Sequence, residues 1–411
     1  MELVNMHDFI LLLLYSIAGS FCGVITGLIP GLHTNSIAII LLAIASKGEQ
    51  SFYFCIFIVA AAIAHTFLDI IPSTFIGAPE EDTALTVLPA HKMVLGGKGY
   101  EAICISAVAS SAAIAISFIL LIPFRFLLGE PMNFYEIMEK SMPWILICIS
   151  LIVIMTNQNI FRAALVFMLT GIFGIAALKL DTSFLIQSSP IFPALAGLFG
   201  ASALLYTKQK ILPEQKIDEI KVKINGGNVG RGVAAGSIVA ILPGVSAAIA
   251  ATLALVAKKE EDERGVIAVL SATNTATNFF VLAMLFVMMK TRSGFAVAMK
   301  ELVEIKKWDG VVIPYPYNLF LIAVIISSII SYYMTLLVGK FVAKNISRIS
   351  YSSLIKISFG IMVALVSIFT GIIGLIIFAI ASIIGIICLE MKVRRSVCIG
   401  FLLLPLIISY F

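Results

Sequence analysis

Charged residues are scarce in this sequence. Asp, Glu, Lys and Arg make up 12% of its 411 residues, whereas soluble proteins carry about 25%. Hydrophobic residues make up 60% and the mean hydropathy is +1.08. The net charge of +5 is small, and the basic residues lie beside apolar runs, a pattern that orients helices in a bilayer. The composition excludes an ordinary soluble domain and gives no reason to expect a nucleic-acid partner.

The sequence also lacks the motifs of metal sites and common enzymes. The six cysteines stand singly, without a CxxC pair or a Cys/His cluster at zinc spacing, so we expect no metal and interpret them as packing residues. There is no HExxH, GxSxG or Walker A motif. We therefore predict a protein that is not an enzyme and has no cofactor, apart from a coupling Na⁺ or H⁺.

Long apolar runs recur from residue 9 to residue 410. Each run of about 20 residues can cross a bilayer as a helix, and backbone groups in lipid must be paired internally. We predict an all-α polytopic protein of the plasma membrane with about ten to twelve transmembrane helices. Two runs, 34–46 and 245–257, are too short to cross and both follow a Pro-Gly pair, so we expect broken or re-entrant helices there.

One stretch between the apolar runs is polar. Residues 207–231 are rich in lysine and end in Asn225-Gly226-Gly227-Asn228, which is typical of a linker. We predict a first membrane repeat over 1–206, a cytoplasmic linker over 207–231 and a second membrane repeat over 232–411. A second basic segment, 340–348, would share the linker's side only if one of the three apolar units between them does not cross.

An internal duplication supports this division. The run from Gly23 to Gly31 reappears from Gly236 to Gly244, so that Pro30-Gly31 aligns with Pro243-Gly244. We expect two structural repeats in inverted orientation, as in many transporters.

Each Pro-Gly pair interrupts a helix, because proline lacks an amide donor and glycine frees the backbone. The helix that follows begins with unpaired N–H groups, which suit an anion. The alternative is a simple kink in a packed helix. As substrate-binding candidates these breaks contribute Pro30, Gly31, Leu32, His33, Thr34, Asn35, Pro243, Gly244, Val245 and Ser246.

A second polar segment follows in each half, at 70–83 and at 271–278. Asn274 and Asn278 share a helical face, and Thr275 lies beside them. These side chains either bind substrate or ions, which we favour, or join neighbouring helices by hydrogen bonds. Glu80, Glu81 and Asp82 form an acidic cluster at a hairpin mouth, where a solvated cluster is the simpler interpretation, although Asp82 stays a candidate for ion coupling.

His65 and Asp69 are ionisable residues four positions apart inside the apolar run 51–72. Such residues within a span indicate function by default. The pair can relay a proton or help to bind sodium, and it can equally be a mutually satisfied polar pair. Sequence position favours neither.

The ordered motifs resemble the TctA family, the large membrane subunit of tripartite tricarboxylate transporters. Gly27-Leu28-Ile29-Pro30-Gly31-Leu32 is similar to its first signature. The segment Pro72 to Ala102, with Gly77-Ala78-Pro79, Thr83 and the Lys/Gly turn at 92–99, is similar to its second, and Leu242 to Ala247 is similar to its third. The resemblance covers most of the chain.

The resemblance implies a permease for citrate-like di- or tricarboxylates, coupled to a cation gradient. It adds Gly77, Ala78, Pro79 and Thr83 to the substrate-binding candidates. It also implies two partners, a small membrane subunit and an extracytoplasmic binding protein, and transporters of this kind commonly form homodimers. The chain departs from bacterial members in being shorter and in having His65 to Asp69 before the second signature.

Two other functions compete with carboxylate transport. The same helix N-termini would hold the phosphate of an anionic lipid such as a polyisoprenoid phosphate. A lipid site should open sideways and be lined by apolar residues, whereas a carboxylate site should be more polar and closed to lipid. A membrane-embedded enzyme would need a nucleophile, and His65/Asp69, the one candidate dyad, lacks an obvious one.

Overall fold

A computed structural model describes residues 6–29, 38, 49–77, 83, 85–182, 189–206, 213–217, 220, 222, 224–242, 247–257, 262–346 and 351–411. In these ranges the protein is all-helical and has no strand. The helices are α1 (Met6–Leu28), α2 (Glu49–Leu68), α3 (Ile70–Phe75), α4 (Val87–Leu95), α5 (Gly99–Leu128), α6 (Phe134–Met155), α7 (Ile160–Ala177), α8 (Ile191–Tyr206), α9 (Gly226–Ile241), α10 (Ala247–Ala257), α11 (Glu263–Val287), α12 (Gly294–Leu302), α13 (Tyr317–Ile346), α14 (Tyr351–Glu390) and α15 (Gly400–Ile408).

Eight of the described helices are long and apolar enough to cross a membrane. This is fewer than the ten to twelve that the sequence predicts. Part of the difference lies in α14, where the two apolar segments 352–372 and 374–389 form two helices that meet at Gly371, whose φ is 61°, and count as one long element. Two other apolar helices, Ile191–Tyr206 and Arg395–Ile408, are shorter than a span. The sequence counts these runs as crossings because it shows apolar length but not continuity.

α1 and α2 pack closely and run in the same direction. A Cβ atom at Gly19 would lie 2.3 Å from the Phe57 carbonyl oxygen, and one at Gly23 would lie 2.4 Å from that of Ala61. One at Gly27 would lie 2.8 Å from the carbonyl oxygen of His65. Glycine is required at all three positions because the two backbones touch. The matching rise in residue number shows that the two helices are parallel.

α9 and α11 repeat this arrangement. A Cβ atom at Gly232 would lie 2.6 Å from the Val269 carbonyl oxygen, and one at Gly236 would lie 2.7 Å from that of Thr273. α9 and α11 are therefore also parallel, and the short helix α10 lies between them in the chain and packs on both.

α2 and α11 run in opposite directions. At one end of the bundle, the first end, the ring of Phe320 lies 5.5 Å from Phe52 at the start of α2 and 6.0 Å from Phe286 at the end of α11. At the opposite end, the second end, a Cβ atom at Gly99 would lie 2.8 Å from the ring of Phe75, which closes α3. Helix α5 begins there beside the start of α11.

The second end also holds α4 and part of the interrepeat segment. Arg264 pairs with Glu101 at 2.6 Å and Lys92 pairs with Glu263 at 2.9 Å. The side chain of Gln215 accepts a hydrogen bond from the Gly99 amide at 2.9 Å and donates one to the Val94 carbonyl. The described linker residues therefore pack against the turn between α4 and α5.

Helices α5 and α13 complete the core around α2 and α11. α5 packs along α11, where the hydroxyl of Ser271 donates to that of Ser106 at 2.8 Å. α13 packs along α2, where Ser327 donates to the Ala60 carbonyl at 2.6 Å and Thr335 donates to the Phe67 carbonyl at 3.2 Å. The largest buried apolar cluster is formed mainly by these four helices.

A buried arginine joins the C-terminal region to α8. Arg395 begins a 3₁₀ turn, Arg395–Ile399, and only 7% of its surface is exposed. Its Nη2 donates to the Leu198 and Phe199 carbonyls and to the Ser202 hydroxyl, at 2.5–2.7 Å. These acceptors are available because residues Ala196–Ala201 form a π-helical turn within α8.

Candidate functional site

The interface between α2 and α11 carries two polar contacts, at the C-terminal end of α2 and in the middle of α11. The Asn274 side-chain amide donates to a carboxylate oxygen of Asp69 at 2.6 Å. The Thr66 hydroxyl donates to that of Thr275 at 3.2 Å. All four side chains are buried. Burying these groups in an apolar bundle is costly unless they are hydrogen-bonded, and each finds its partner on the opposite helix.

α1 adds a third polar contact at the same level. A ring nitrogen of His65 lies 3.0 Å from the hydroxyl of Thr26, which also donates to the Gly23 carbonyl at 3.0 Å. His65 and Asp69 therefore bind different partners, Thr26 on α1 and Asn274 on α11. The sequence identifies both residues but shows neither partner.

The second polar segment of the first half folds back onto α3. The hydroxyls of Ser73 and Thr83 are hydrogen-bonded at 2.8 Å, and both residues are buried. Gly77 has φ +68°, a left-handed conformation that favours glycine, and it packs against Leu204. Two of the predicted substrate-binding residues on this segment, Gly77 and Thr83, thus lie close to the end of α3, the helix that follows Asp69.

The described helices before the two Pro-Gly pairs, α1 and α9, end beside these polar groups. Pro30 to Asn35, Ala78, Pro79, Asp82 and Pro243 to Ser246 lie outside the described residues. The helix before the first break is described up to its end at Leu28, and a Cβ at the adjacent Gly27 would lie 3.1 Å from the Asp69 amide. The helix before the second break ends at Ile241, one turn and a half beyond Gly236. Asn278 is described and half-buried.

Arg292 is a cation that sequence reasoning missed. Its Nη2 donates to the Ile241 carbonyl at 2.5 Å and to the Tyr135 hydroxyl at 2.8 Å. Its Nε is buried and has no hydrogen-bond partner. A cation at the C-terminal carbonyls of α9 is favourable because it opposes the negative end of the helix dipole. The sequence gives no signal for this contact, because Arg292 follows Ile241 by 51 residues and lies in a polar loop.

Three serines and a histidine were also missed. Ser106 and Ser110 of α5 reach Ser271 of α11, by hydroxyl and carbonyl contacts at 2.8 and 3.5 Å. His91 of α4 is buried and hydrogen-bonds with the backbone carbonyl of Thr74. Burial lowers the pKa of His91, and the Thr74 contact partly opposes this effect. Isolated serines in apolar helices carry no sequence signal, since most bond to their own helix.

The described part of the chain has no group of three His, Cys, Asp or Glu side chains placed to hold a metal. Two apolar grooves lie on the outside of the bundle. One, of about 430 Å³, lies between α5 and α13 and is lined by residues that include Phe118, Ile325 and Tyr332. The other, of about 480 Å³, lies between α6 and α10 beside Trp144 and Leu253.

Comparison with known proteins places the chain in a family. The model of the tripartite tricarboxylate transporter TctA family matches residues 13–400. An uncharacterized protein of Methanocaldococcus jannaschii is 37% identical over 195 residues, which are 47% of this chain and 48% of that protein. The match thus spans about half the length of this relative. No solved structure matches the chain.

The family match is consistent with the helices long enough to cross a membrane and with the order of the three motifs. It covers both Pro-Gly segments and the polar contacts between α2 and α11. The members of this family are transporters, and they work in tripartite systems with a small membrane subunit and a binding protein. The chain belongs to the tripartite tricarboxylate transporter TctA family.

Proposed function

We propose that the chain is a secondary permease for small organic anions, built from two inverted repeats with one re-entrant hairpin in each. The substrates are di- or tricarboxylates, held where the two Pro-Gly breaks approach the α2–α11 interface. A gradient of Na⁺ or H⁺ drives transport.

The parallel helix pairs support the re-entrant hairpins. A helix that follows another in the chain and runs parallel to it requires the connecting segment to return to the starting end. The connection between α1 and α2 contains Pro30-Gly31, and that between α9 and α11 contains Pro243-Gly244 and the 11-residue α10. α1 ends beside Leu68, about seven residues before Phe75, so its tip lies roughly 10 Å inside the end of α3 at 1.5 Å per residue. α9 ends at a similar depth relative to Val287.

The antiparallel relation of α2 and α11 supports the inversion. α1 enters from the first end and α9 enters from the second end, so the two hairpin tips point into the bundle from opposite sides. Each half also contributes a helix that packs against the other half. Helix α5 of the first half lies along α11, and α13 of the second half lies along α2. Each observation fits a twofold axis in the membrane plane.

The observation that carries the transport proposal is the bond between Asp69 and Asn274. It joins the two halves between the residue that follows α2 and the middle of α11, beside the end of α1. Substrate sites of repeat transporters lie near the membrane centre at the repeat interface, where helix N-termini receive anionic groups. Pro30 to Asn35 and Pro243 to Ser246 supply those N-termini in our proposal, and Gly77, Thr83, Asn274, Thr275 and Asn278 complete the site. His65, Asp69 and Asp82 are the candidates for ion coupling.

The remaining parts of the proposal concern the assembly. The family works in tripartite systems, and we extend this to the present chain as a plasma-membrane protein that receives substrate from a binding protein and contacts a small membrane subunit. We also propose that it forms a homodimer. The basic linker over 207–231 would lie in the cytoplasm, together with the end of α13.

One observation favours a second candidate, the translocation of an anionic lipid such as a polyisoprenoid phosphate. The groove between α5 and α13 is apolar, faces outward and lies behind Ser110 and Ser111. An isoprenoid chain could occupy it while a phosphate binds at the helix N-termini. The buried contacts of Asp69 and Asn274 are more polar than such a chain needs, and they favour the carboxylate.

Counterflow in proteoliposomes tests the proposal directly. Vesicles with purified full-length protein are loaded with unlabelled citrate, and the entry of radiolabelled citrate is followed. Thermal unfolding is measured in parallel with citrate, malate and a polyisoprenoid phosphate, since a ligand at a hundred times its Kd adds about 2.7 kcal/mol to stability. Counterflow with stabilisation by a carboxylate supports the permease. Stabilisation by the lipid phosphate alone, with no counterflow, overturns it in favour of the translocase.

A further inference from the structure

Residues 213–217, in the segment that joins the two repeats, form a strap across the turn between α4 and α5. Gln215 lies at its centre and is 4% exposed. Its side-chain oxygen accepts a hydrogen bond from the Gly99 amide at 2.9 Å, and its side-chain nitrogen donates to the Val94 carbonyl, also at 2.9 Å. One glutamine thus joins the end of α4 to the start of α5.

The backbone of the strap is in equally close contact with this turn. The Lys216 amide donates to the Gly97 carbonyl at 2.8 Å. A Cβ atom at Gly97 would lie 2.8 Å from the Glu214 carbonyl oxygen, and the φ of +72° at this position also favours glycine. Contacts of this kind belong to a packed element and not to a flexible linker.

Helix α4 connects the strap to the proposed substrate site. It is nine residues long, Val87–Leu95, and Val94 lies in its last turn. Thr83 lies just before its first turn, where the Thr86 amide donates to the Thr83 carbonyl at 2.9 Å. Because so short a helix moves as a unit, the strap and Thr83 are joined through one rigid element about 13 Å long.

Two further contacts fix the other parts of α4. His91, in the middle of the helix, is buried and hydrogen-bonds with the Thr74 carbonyl. The hydroxyls of Ser73 and Thr83 are bonded at 2.8 Å. Both contacts lie on the side of α3, and a helix attached along one side can still tilt at its free end. The strap supplies the contact at the C-terminal end of α4 that prevents this tilt.

The side chain of glutamine suits this place because it carries both an acceptor and a donor. The Gly99 amide is the first N–H of α5, which has no partner within its own helix, so the Gln215 oxygen satisfies it. The Gln215 nitrogen also donates to the Pro213 carbonyl of the strap at 2.9 Å. Removing this side chain would therefore leave buried polar groups without partners, and the strap would lose its attachment to both helices.

We propose that Gln215 is a positioning residue of the substrate site. By holding the end of α4, it fixes the place at which Thr83 meets a bound carboxylate. Gln215 itself touches no substrate. Release of the strap lets α4 tilt and weakens substrate binding, whereas the later steps of transport keep their rate. The inference rests on the proposed permease function and adds the connection between the repeats to the elements that determine substrate affinity.

Citrate counterflow by the full chain in proteoliposomes tests this role when KM and the maximal rate are measured separately. Gln215→Ala should raise the KM for citrate about tenfold and leave the maximal rate within about twofold of the wild type, because binding alone is weakened. Gln215→Glu keeps the acceptor for Gly99 but loses the donor to Val94. It should raise KM in the same direction, and it replaces the alanine variant if that variant does not fold. Glu214→Gln, on the neighbouring exposed position, is the control and should match the wild type.

Combination with a substitution at Thr83 separates positioning from a merely structural role. Thr83→Ala should also raise KM, and Gln215→Ala/Thr83→Ala should raise it no further than the larger single effect, since both act on one contact. Multiplied effects, an unchanged KM in both Gln215 variants, or a loss confined to the maximal rate would overturn the positioning role while wild-type counterflow stands. Absence of counterflow in the wild type would contradict the permease itself, and this inference with it.

Discussion

Asn274 donates a hydrogen bond of 2.6 Å to Asp69, a residue 205 positions earlier in the chain. The bond runs from the middle of α11 to the residue that follows α2. It joins the two halves of the protein through their most polar residues, and both side chains are at most 3% exposed. The first prediction follows from this contact.

Replacing Asn274 with alanine should destabilise the protein by about 1–3 kcal/mol, because a buried carboxylate loses its partner. Denaturant unfolding in detergent measures the change. Ser237→Ala, which removes an exposed intrahelical bond of α9, is the control and should alter stability by less than about 0.5 kcal/mol. In the double variant Asp69→Ala/Asn274→Ala the two losses should not add. Additive losses would show that the contact contributes nothing.

The close approach of α9 and α11 predicts a sharp difference between two glycines of one helix. An alanine Cβ at Gly236 would lie 2.7 Å from the Thr273 carbonyl oxygen, whereas one at Gly230 meets nothing within 4 Å. Gly236→Ala should therefore lower stability by about 1–3 kcal/mol through overpacking. Gly230→Ala should be neutral or stabilise by up to about 1 kcal/mol. Equal unfolding midpoints for the two variants would contradict the parallel packing.

The same reasoning applies to the Pro-Gly segments, with transport as the measurement. Gly31→Val and Gly244→Val should abolish citrate counterflow, because a β-branched residue restricts the backbone at the proposed anion-binding ends. Gly360→Val, on an exposed turn of α14 where nothing lies within 4 Å, should keep it. Folding of all three is checked by size-exclusion chromatography. Wild-type counterflow in both Pro-Gly variants would refute the proposed substrate site.

Arg292 should contribute to stability at the end of α9, before Pro243-Gly244, although it lies in a polar loop. Arg292→Gln removes the cation from the last carbonyls of α9 and should cost about 1–2 kcal/mol of stability. Arg292→Lys should restore part of the loss, since it keeps the charge without the planar fork. Lys306→Gln in the loop that follows α12 is the control. A glutamine variant as stable as this control would leave Arg292 without a role at Ile241.

The ion pairs at the second end should contribute little. Lys92 and Glu263 are partly exposed, as are Arg264 and Glu101, and exposed pairs contribute about 0–1 kcal/mol. Arg264→Gln should therefore leave the free energy of unfolding within about 1 kcal/mol of the wild type. A larger loss that disappears at high salt would show that this end depends on charge.

Composition was sufficient to predict the fold class, because long uncharged runs allow only helices in a bilayer. The family could also be predicted, since its motifs lie in short contiguous segments such as Gly27 to Leu32. The number of spans could not. Hydropathy does separate the two helices that meet at Gly371, but the 16 residues of α9 lie beside a longer helix that the sequence does not identify as its neighbour.

The partners of the site residues were also beyond sequence reasoning. His65, Asp69 and Asn274 are conspicuous because polar groups are rare in apolar runs. Their contacts depend on the direction of α2 relative to α11, which single-residue patterns do not encode. Arg292 and His91 were missed for a different reason. Arg292 lies in a polar connection and His91 in the short helix α4, and only tertiary packing brings them to Ile241 and Thr74.

Arg395 has a consequence for how the chain enters the membrane during synthesis. Arg395 is the first residue of the last apolar segment, Arg395–Ile408, which is shorter than a membrane span and is therefore a poor candidate for insertion by itself. Its acceptors, the carbonyls of Leu198 and Phe199 and the Ser202 hydroxyl, are made about 200 residues earlier. These hydrogen-bond acceptors are therefore already present when Arg395 is synthesised. A circular permutation between α8 and α9 would reverse that order. Arg395 would then enter the membrane before its hydrogen-bond acceptors on α8 had been synthesised.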